Sequence, residues 1–140
     1  MKSGRGTYVL LGVVLLVVGA AVAAGLMVMT SPAEERARRT DERRVQDLSQ
    51  IDDAIDVYWS RKSALPPHLD ALVREFGAAL SIRDPNDANE YEYRVLDATK
   101  YELCAIFEEP SRPQRSRFGT FWNHHAGRQC FQLAAERVNR

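Results

Sequence analysis

The chain has 140 residues, and its 19 Lys and Arg residues balance 19 Asp and Glu residues to a formal net charge of +0. This balance provides no global field to recruit nucleic acid or an anionic surface, so charge-driven polyanion binding is excluded as a starting hypothesis. Once the apolar N-terminal run is set aside, about a hundred residues remain, enough for one small domain but not for two independent cores.

Thr7 to Met29, TYVLLGVVLLVVGAAVAAGLMVM, carries no charge. As a helix it is roughly 34 Å long, against a hydrocarbon core of about 30 Å, and a helix satisfies its own backbone in lipid. The segment therefore reads as a transmembrane helix. Lys2, Arg5 and the small residues Ala21-Val22-Ala23 also fit the start and cleavage site of a secretory signal. The apolar run is longer than such signals use and continues past the Ala-rich stretch through Leu26 to Met29, which favours an uncleaved signal anchor. Gly19 with Ala23, Ala20 with Ala24 and Ala21 with Gly25 are small pairs one turn apart, a pattern compatible with self-association in the bilayer.

Orientation draws on two opposing signals. Arg36, Arg38, Arg39, Arg43 and Arg44 behind the span outnumber Lys2 and Arg5 in front of it, and basic-residue counting alone would keep the head inside. Cys104 and Cys130, the only two cysteines, favour an oxidising compartment and one disulfide, and large domains translocate despite flanking charge. The expectation is residues 1–6 in the cytoplasm and the C-terminal head outside it.

From Ala33 to about Lys62 the sequence has no Gly or Pro, and a long helix continuing from the span across Pro32 is expected. Its first turns, EERARRTDERR, are charged all round and read as a solvated stalk over residues 30–44. Val45, Leu48, Ile51, Ile55 and Tyr58 then recur at three- and four-residue steps, one stripe that should face the head's own sheet. Arg44, Gln46, Asp47, Asp52, Asp53 and Asp56 are assigned to the remaining, polar surface.

Pro66 and Pro67 stop the helix. HLDALVREFG predicts a short second helix with Leu69, Leu72, Val73 and Phe76 on one side, ending at Gly77. Beyond Asp84-Pro85 the period becomes twofold: Tyr91, Tyr93 and Val95 alternate with Glu92 and Arg94, and Tyr101, Leu103, Ala105 and Phe107 with Glu102, Cys104 and Ile106. Leu96-Asp97-Ala98-Thr99 is the length of a hairpin loop, so the two strands should pair antiparallel. Glu108 to Gly119 has loop composition, and a third strand at Arg128 to Leu133 would bring Cys130 towards Cys104. A bridge between them would close a loop of 25 intervening residues, which in the chain-entropy model contributes about 3 to 4 kcal/mol.

Three places invite chemistry. His124 and His125 in WNHHAGRQC are adjacent rather than spaced as metal ligands usually are, and the plainer reading is a polar loop over Trp122 and Phe121. Cys104 and Cys130 lack the C-x-x-C spacing of a redox pair, which favours a structural disulfide. DPNDANE (84–90) offers the oxygens that calcium prefers, without the EF-hand spacing, and turn chemistry accounts for the same residues. No nucleophile-base-acid arrangement, paired acids, phosphate-cradling loop or nucleotide motif stands out. The expectation is no catalytic, cofactor-binding or metal residues, with Trp122, His124, His125 and Arg128 as a candidate binding surface.

DLSQIDDAIDVYWSRKSALPPHLDAL resembles the helix end, proline turn and leucine-rich second helix of the pilin-like proteins, the major pseudopilins of type II secretion above all. DPNDANEYEYRV resembles the entry to that family's hairpin. Gly6-Thr7-Tyr8-Val9-Leu10 lacks the Phe and the acid of the prepilin peptidase motif, and FWNHHAGRQCF stands where major pseudopilins carry a calcium loop. The resemblance implies an α+β fold, with an N-terminal transmembrane helix (7–29), a helical stalk (30–44) and a pilin-like extracytoplasmic domain (45–140) built as a long amphipathic helix on a small antiparallel sheet. It also implies a non-enzymatic, single-pass inner-membrane protein acting as subunit or accessory of an envelope assembly. Its partners would be the lipid bilayer and other proteins or copies of itself, with no cofactor and no nucleic acid. The competing expectation is a membrane-tethered periplasmic sensor or ligand-binding module.

Overall fold

The computed structural model describes residues 4–28, 31–77, 79–112 and 119–137. The element order is α1 (Gly4–Val28), α2 (Pro32–Lys62), α3 (Asp70–Phe76), β1 (Glu92–Val95), β2 (Lys100–Phe107) and β3 (Gly127–Ala134). The chain divides into two compact units, Met1–Pro32 and Ala33–Arg140. The fold is α+β, as the change of period from helical to twofold predicts.

The first unit is essentially α1. It contains one stretch, Gly6–Gly25, that is long and apolar enough to cross a membrane, and none of it is buried against the protein. In water such a surface would be a large exposed apolar patch; in lipid it is the expected one. The expected continuous helix is interrupted, because Ser31 belongs to neither α1 nor α2, while residues 29–30 lie outside the described residues. Pro32 opens α2 instead, at the first helical position, where its missing N–H costs no intrahelical bond.

In the second unit α2 carries Glu34 and Glu35 in its first turn and Arg61 and Lys62 in its last, each sign placed favourably for the helix dipole. Val45, Leu48, Ile51 and Ile55 are buried, with Tyr58 packed against the same core. The helix ends at Ser63, whose φ of 53° lies in the left-handed region and whose N–H reaches the Trp59 carbonyl at 2.7 Å. The proline turn then buries Pro66, and α3 adds Leu72 to the core, preceded by the fully buried Leu69. Gly77 closes α3 with φ 84° and ψ −179°, a conformation essentially restricted to glycine, and its N–H bonds to the Val73 carbonyl at 2.8 Å.

The sheet has the order β1-β2-β3, antiparallel throughout. The hairpin forms where expected, with the Leu96 and Asp97 N–H groups both donating to the Lys100 carbonyl. Tyr101, Leu103, Ala105 and Phe107 point inward from the central strand and join Phe131 of β3 and the α2 stripe in one core. Val95, in contrast, is 47 % exposed. It ends the short edge strand β1, beyond the cover that the period-2 pattern alone assumes.

The polar side of α2 departs most from expectation. Asp41 and Arg44, assigned to the solvated stalk, are buried, as is Asp47. Asp52 and Asp56 are half-buried. Each of these carboxylates is occupied by a donor from another element, which is the condition for burying it.

Candidate functional site

The densest polar cluster lies where the start of the buried α2 face meets the loop before β1 and the end of β2. The Arg44 guanidinium forks onto Asp84 (Nε to Oδ2 2.5 Å, Nη2 to Oδ1 3.1 Å) and donates to Asp41 Oδ1 at 2.7 Å and Glu108 Oε1 at 3.3 Å. Asp41 in turn accepts the backbone N–H groups of Glu108 and Glu109, at 3.1 and 2.8 Å. Three segments distant in sequence are thus tied to one cation. Burial works against the charge on Arg44, yet its hydrogen bonds to Asp84 and Asp41 outweigh that penalty and hold its pKa above the ordinary value. Burial likewise works against the Asp84 carboxylate, and the Arg44 bond wins, holding it below the usual carboxylate range.

Residues 84–90 are bonded largely within their own turn and to Arg44. Asp84 Oδ1 also accepts the Asn86 N–H at 2.8 Å, and Asp87 Oδ1 accepts the Asn89 N–H at 2.9 Å. These are Asx turns, and the positive charge already facing Asp84 is a guanidinium. Ala88 completes the turn with φ 58°.

Two tyrosine hydroxyls reach α2 from the sheet side. Tyr91 donates to Asp47 at 2.9 Å, and Tyr101 donates to Asp52. Burial, followed by the facing carboxylate, pushes both phenols up. Burial raises Asp47 despite the Tyr91 bond, and raises Asp52 to about 6 despite Tyr101, with Asp56, Asp53 and Glu136 adding negative charge nearby. Both pairs are structural: neither hydroxyl is at a surface where a substrate would meet it, as Tyr91 and Tyr101 are buried.

The predicted binding residues do not converge. Trp122 is buried and packs on Phe131 with ring centroids 4.9 Å apart. His124 is buried and stacks on Phe107 at 3.7 Å. Burial lowers its pKa against the pull of Asp41, and Nδ1 finds no hydrogen-bond partner among the described residues. The backbone of His124 is fastened to Ser111 in both directions, Ser111 N–H to the His124 carbonyl at 2.9 Å and His124 N–H to Ser111 Oγ at 3.0 Å. His125 is exposed. Arg128 projects from β3 with the opposite parity to the core residue Phe131 and forms a bidentate pair with Glu92, at 2.9 and 2.6 Å. Two of the four are therefore core aromatics, one is on a loop and one is on the outer face of the sheet.

That outer face carries the disulfide. Cys104 and Cys130 are register partners on β2 and β3 with Cα atoms 4.0 Å apart, and they are bonded to each other. Glu102 places a carboxylate oxygen 3.9 Å from Cys104 Sγ, and Arg128 Nη2 lies 3.5 Å from the same sulfur. Glu102, Cys104 and Cys130 would make a three-ligand cluster by distance. With the two sulfurs joined, a single carboxylate remains, which is not a metal site.

Sequence reasoning missed the Arg44 hub, although a signal was present. Asp41, Arg44, Leu48, Ile51 and Ile55 follow one another at three- and four-residue steps, so the buried stripe of α2 extends back through two charged positions. No protein-family model matches the chain, and no characterised protein or solved structure matches it either.

Proposed function

We propose that this chain is a single-pass protein of a bacterial-type inner (cytoplasmic) membrane, with its head outside the cytoplasm, acting without catalysis as a subunit or accessory of an envelope assembly. The observation that carries the reading is the combination of α1, apolar and uncovered along Gly6–Gly25, with a head that has its own core and a disulfide. A bare apolar helix calls for lipid, and a disulfide in a small domain fits an oxidising compartment. The order of apolar helix, long helix and small antiparallel sheet is loosely compatible with a pilin-like protein. In that family's manner the working parts would be surfaces rather than a pocket. The dispersal of Trp122, His124, His125 and Arg128 supports this over a sensor, since a ligand site needs convergent groups.

The test is crosslinking of the full chain in intact membranes at native expression, combined with protease accessibility of the head from each side. The reading expects a crosslinked partner or multimer and a head cleaved only from the extracytoplasmic side. Monomer alone, or a head reached only from the cytoplasm, would overturn it.

A further inference from the structure

The disulfide lies near the middle of a ladder that runs from Lys100↔Ala134 to Phe107↔Gly127. It therefore joins strands whose backbones are already paired, and breaking it requires no unfolding. Cys104 is 3 % exposed, whereas Cys130 is half-buried on the edge strand, so an incoming group meets Cys130 first. The inner sulfur, Cys104 Sγ, has the Arg128 guanidinium 3.5 Å away. Glu92 balances Arg128 while the sulfurs are bonded; on reduction a Cys104 thiolate becomes a second anionic neighbour of the same cation. A cation beside a departing sulfur lowers its thiol pKa, and a lower leaving-group pKa speeds exchange. Glu102, at 3.9 Å from that sulfur, acts in the opposite sense.

We infer that Cys104–Cys130 is a thiol-exchange site, attacked at Cys130 by an external dithiol, with Cys104 leaving as a thiolate beside Arg128. In the first step a thiolate of the dithiol bonds to Cys130 Sγ, the Cys104–Cys130 bond breaks, and its electron pair stays on Cys104 Sγ. In the second step the remaining thiol of the reductant gives its proton to solvent and displaces Cys130, which leaves as a thiolate and takes up a proton. The dithiol is oxidised to its disulfide by two electrons, and the two cysteines hold them. Arg128 is a positioning residue here, acting through the charge on Cys104. This site stands independently of the assembly reading.

The experiment uses the full chain in detergent micelles, equilibrated in dithiothreitol buffers of graded potential, with reduced fractions read by alkylation and mass shift. Reduction rates with dithiothreitol are measured in parallel, and circular dichroism follows the fold. One nearby charge is worth on the order of one pKa unit, so at about pH 9 or above, where an ordinary thiol of pKa about 8.5 is largely ionised, Arg128→Ala should slow reduction and favour the oxidised form by about three- to tenfold, or about 14 to 30 mV for two electrons. Arg128→Lys should keep most of the wild-type behaviour, and Glu102→Gln should shift both quantities in the direction opposite to Arg128→Ala. The inference is overturned if Arg128→Ala stays within twofold of wild type in both rate and potential, or if the bridge reduces only as the sheet unfolds.

Discussion

Replacing Arg44 by Met should be among the most damaging single changes in the head. The side chain is 6 % exposed and faces Asp41 and Asp84, whose side chains are 4 % and 10 % exposed. Met retains much of the buried hydrocarbon, so the loss isolates the charge. Removing one member of a buried ion pair costs about 3 to 5 kcal/mol because the remaining charge is left without compensation. Here two carboxylates are stranded, although Asp41 keeps its bonds to the Glu108 and Glu109 N–H groups, and Asp84 keeps the Asn86 N–H. Against a total stability of about 5 to 15 kcal/mol that is a large fraction. For a domain of this size each kcal/mol moves the midpoint by about 4 to 8 °C, so a fall of at least about 12 °C is expected. Urea and thermal unfolding of the micelle-bound chain, followed by circular dichroism, measure it. Arg39→Ala is the control: its ion pair with Glu35 has side chains 76 % and 51 % exposed and should matter by less than about 0.5 kcal/mol. Adding Asp84→Asn to Arg44→Met should recover part of the loss, since it removes one stranded charge. A cost below about 1 kcal/mol for Arg44→Met, or no recovery in the double variant, would refute the reasoning.

Asp52 gives a pH dependence of definite sign. With its pKa raised to about 6, the folded state holds a proton between about pH 4 and 6 that the unfolded chain has released, so this group's contribution falls as pH rises through that window. Asp52→Asn should remove that slope, worth about 1 to 2 kcal/mol after the screening expected of a partly exposed group, when urea midpoints at pH 4.5 and 7 are compared with wild type; parallel slopes would contradict it. Ser63→Gly relieves a left-handed non-glycine residue and should raise the thermal midpoint by a few degrees, whereas Gly77→Ala should lower stability by about 1 to 3 kcal/mol; unfolding midpoints of both variants check the pair. Leu16→Arg places a charge in the middle of α1 and should cost about 2.5 to 3.5 kcal/mol of insertion, seen as loss of carbonate-resistant membrane association; unchanged extraction would remove the case for a span.

The apolar half of this fold was legible because its signals are local. The stripe Val45, Leu48, Ile51, Ile55 and the alternation Tyr101, Leu103, Ala105, Phe107 state their periods within a few residues, and the third strand, expected at Arg128 to Leu133, runs Gly127–Ala134. The polar half was not, because a charge declares itself buried only through partners far along the chain. Arg44 meets Asp84 and Glu108, 40 and 64 residues away, and Tyr101 meets Asp52 at a separation of 49. Hydropathy assigned Arg44 and Asp52 to the polar surface, and Asp84 and Glu108 to turn and loop. The candidate surface failed to converge for a related reason: Trp122 and His124 pack inward from their loop onto Phe131 and Phe107, while Arg128 lies on a strand whose parity turns it to the other face. The Cys104–Cys130 bridge was anticipated because only two cysteines exist.

The tyrosine pair at Asp47 and Asp52 works as two dowels in a sliding joint. Leucine and isoleucine contacts alone do not fix how far a helix has slid along a sheet, but a displacement of one turn would part both hydroxyls from their carboxylates. The seat of α2 on the sheet is thereby keyed in register. A mutation that preserved every greasy contact and removed both dowels would leave the register of α2 to Arg44, paired with Asp84, and to Asp56, which accepts the Glu136 N–H.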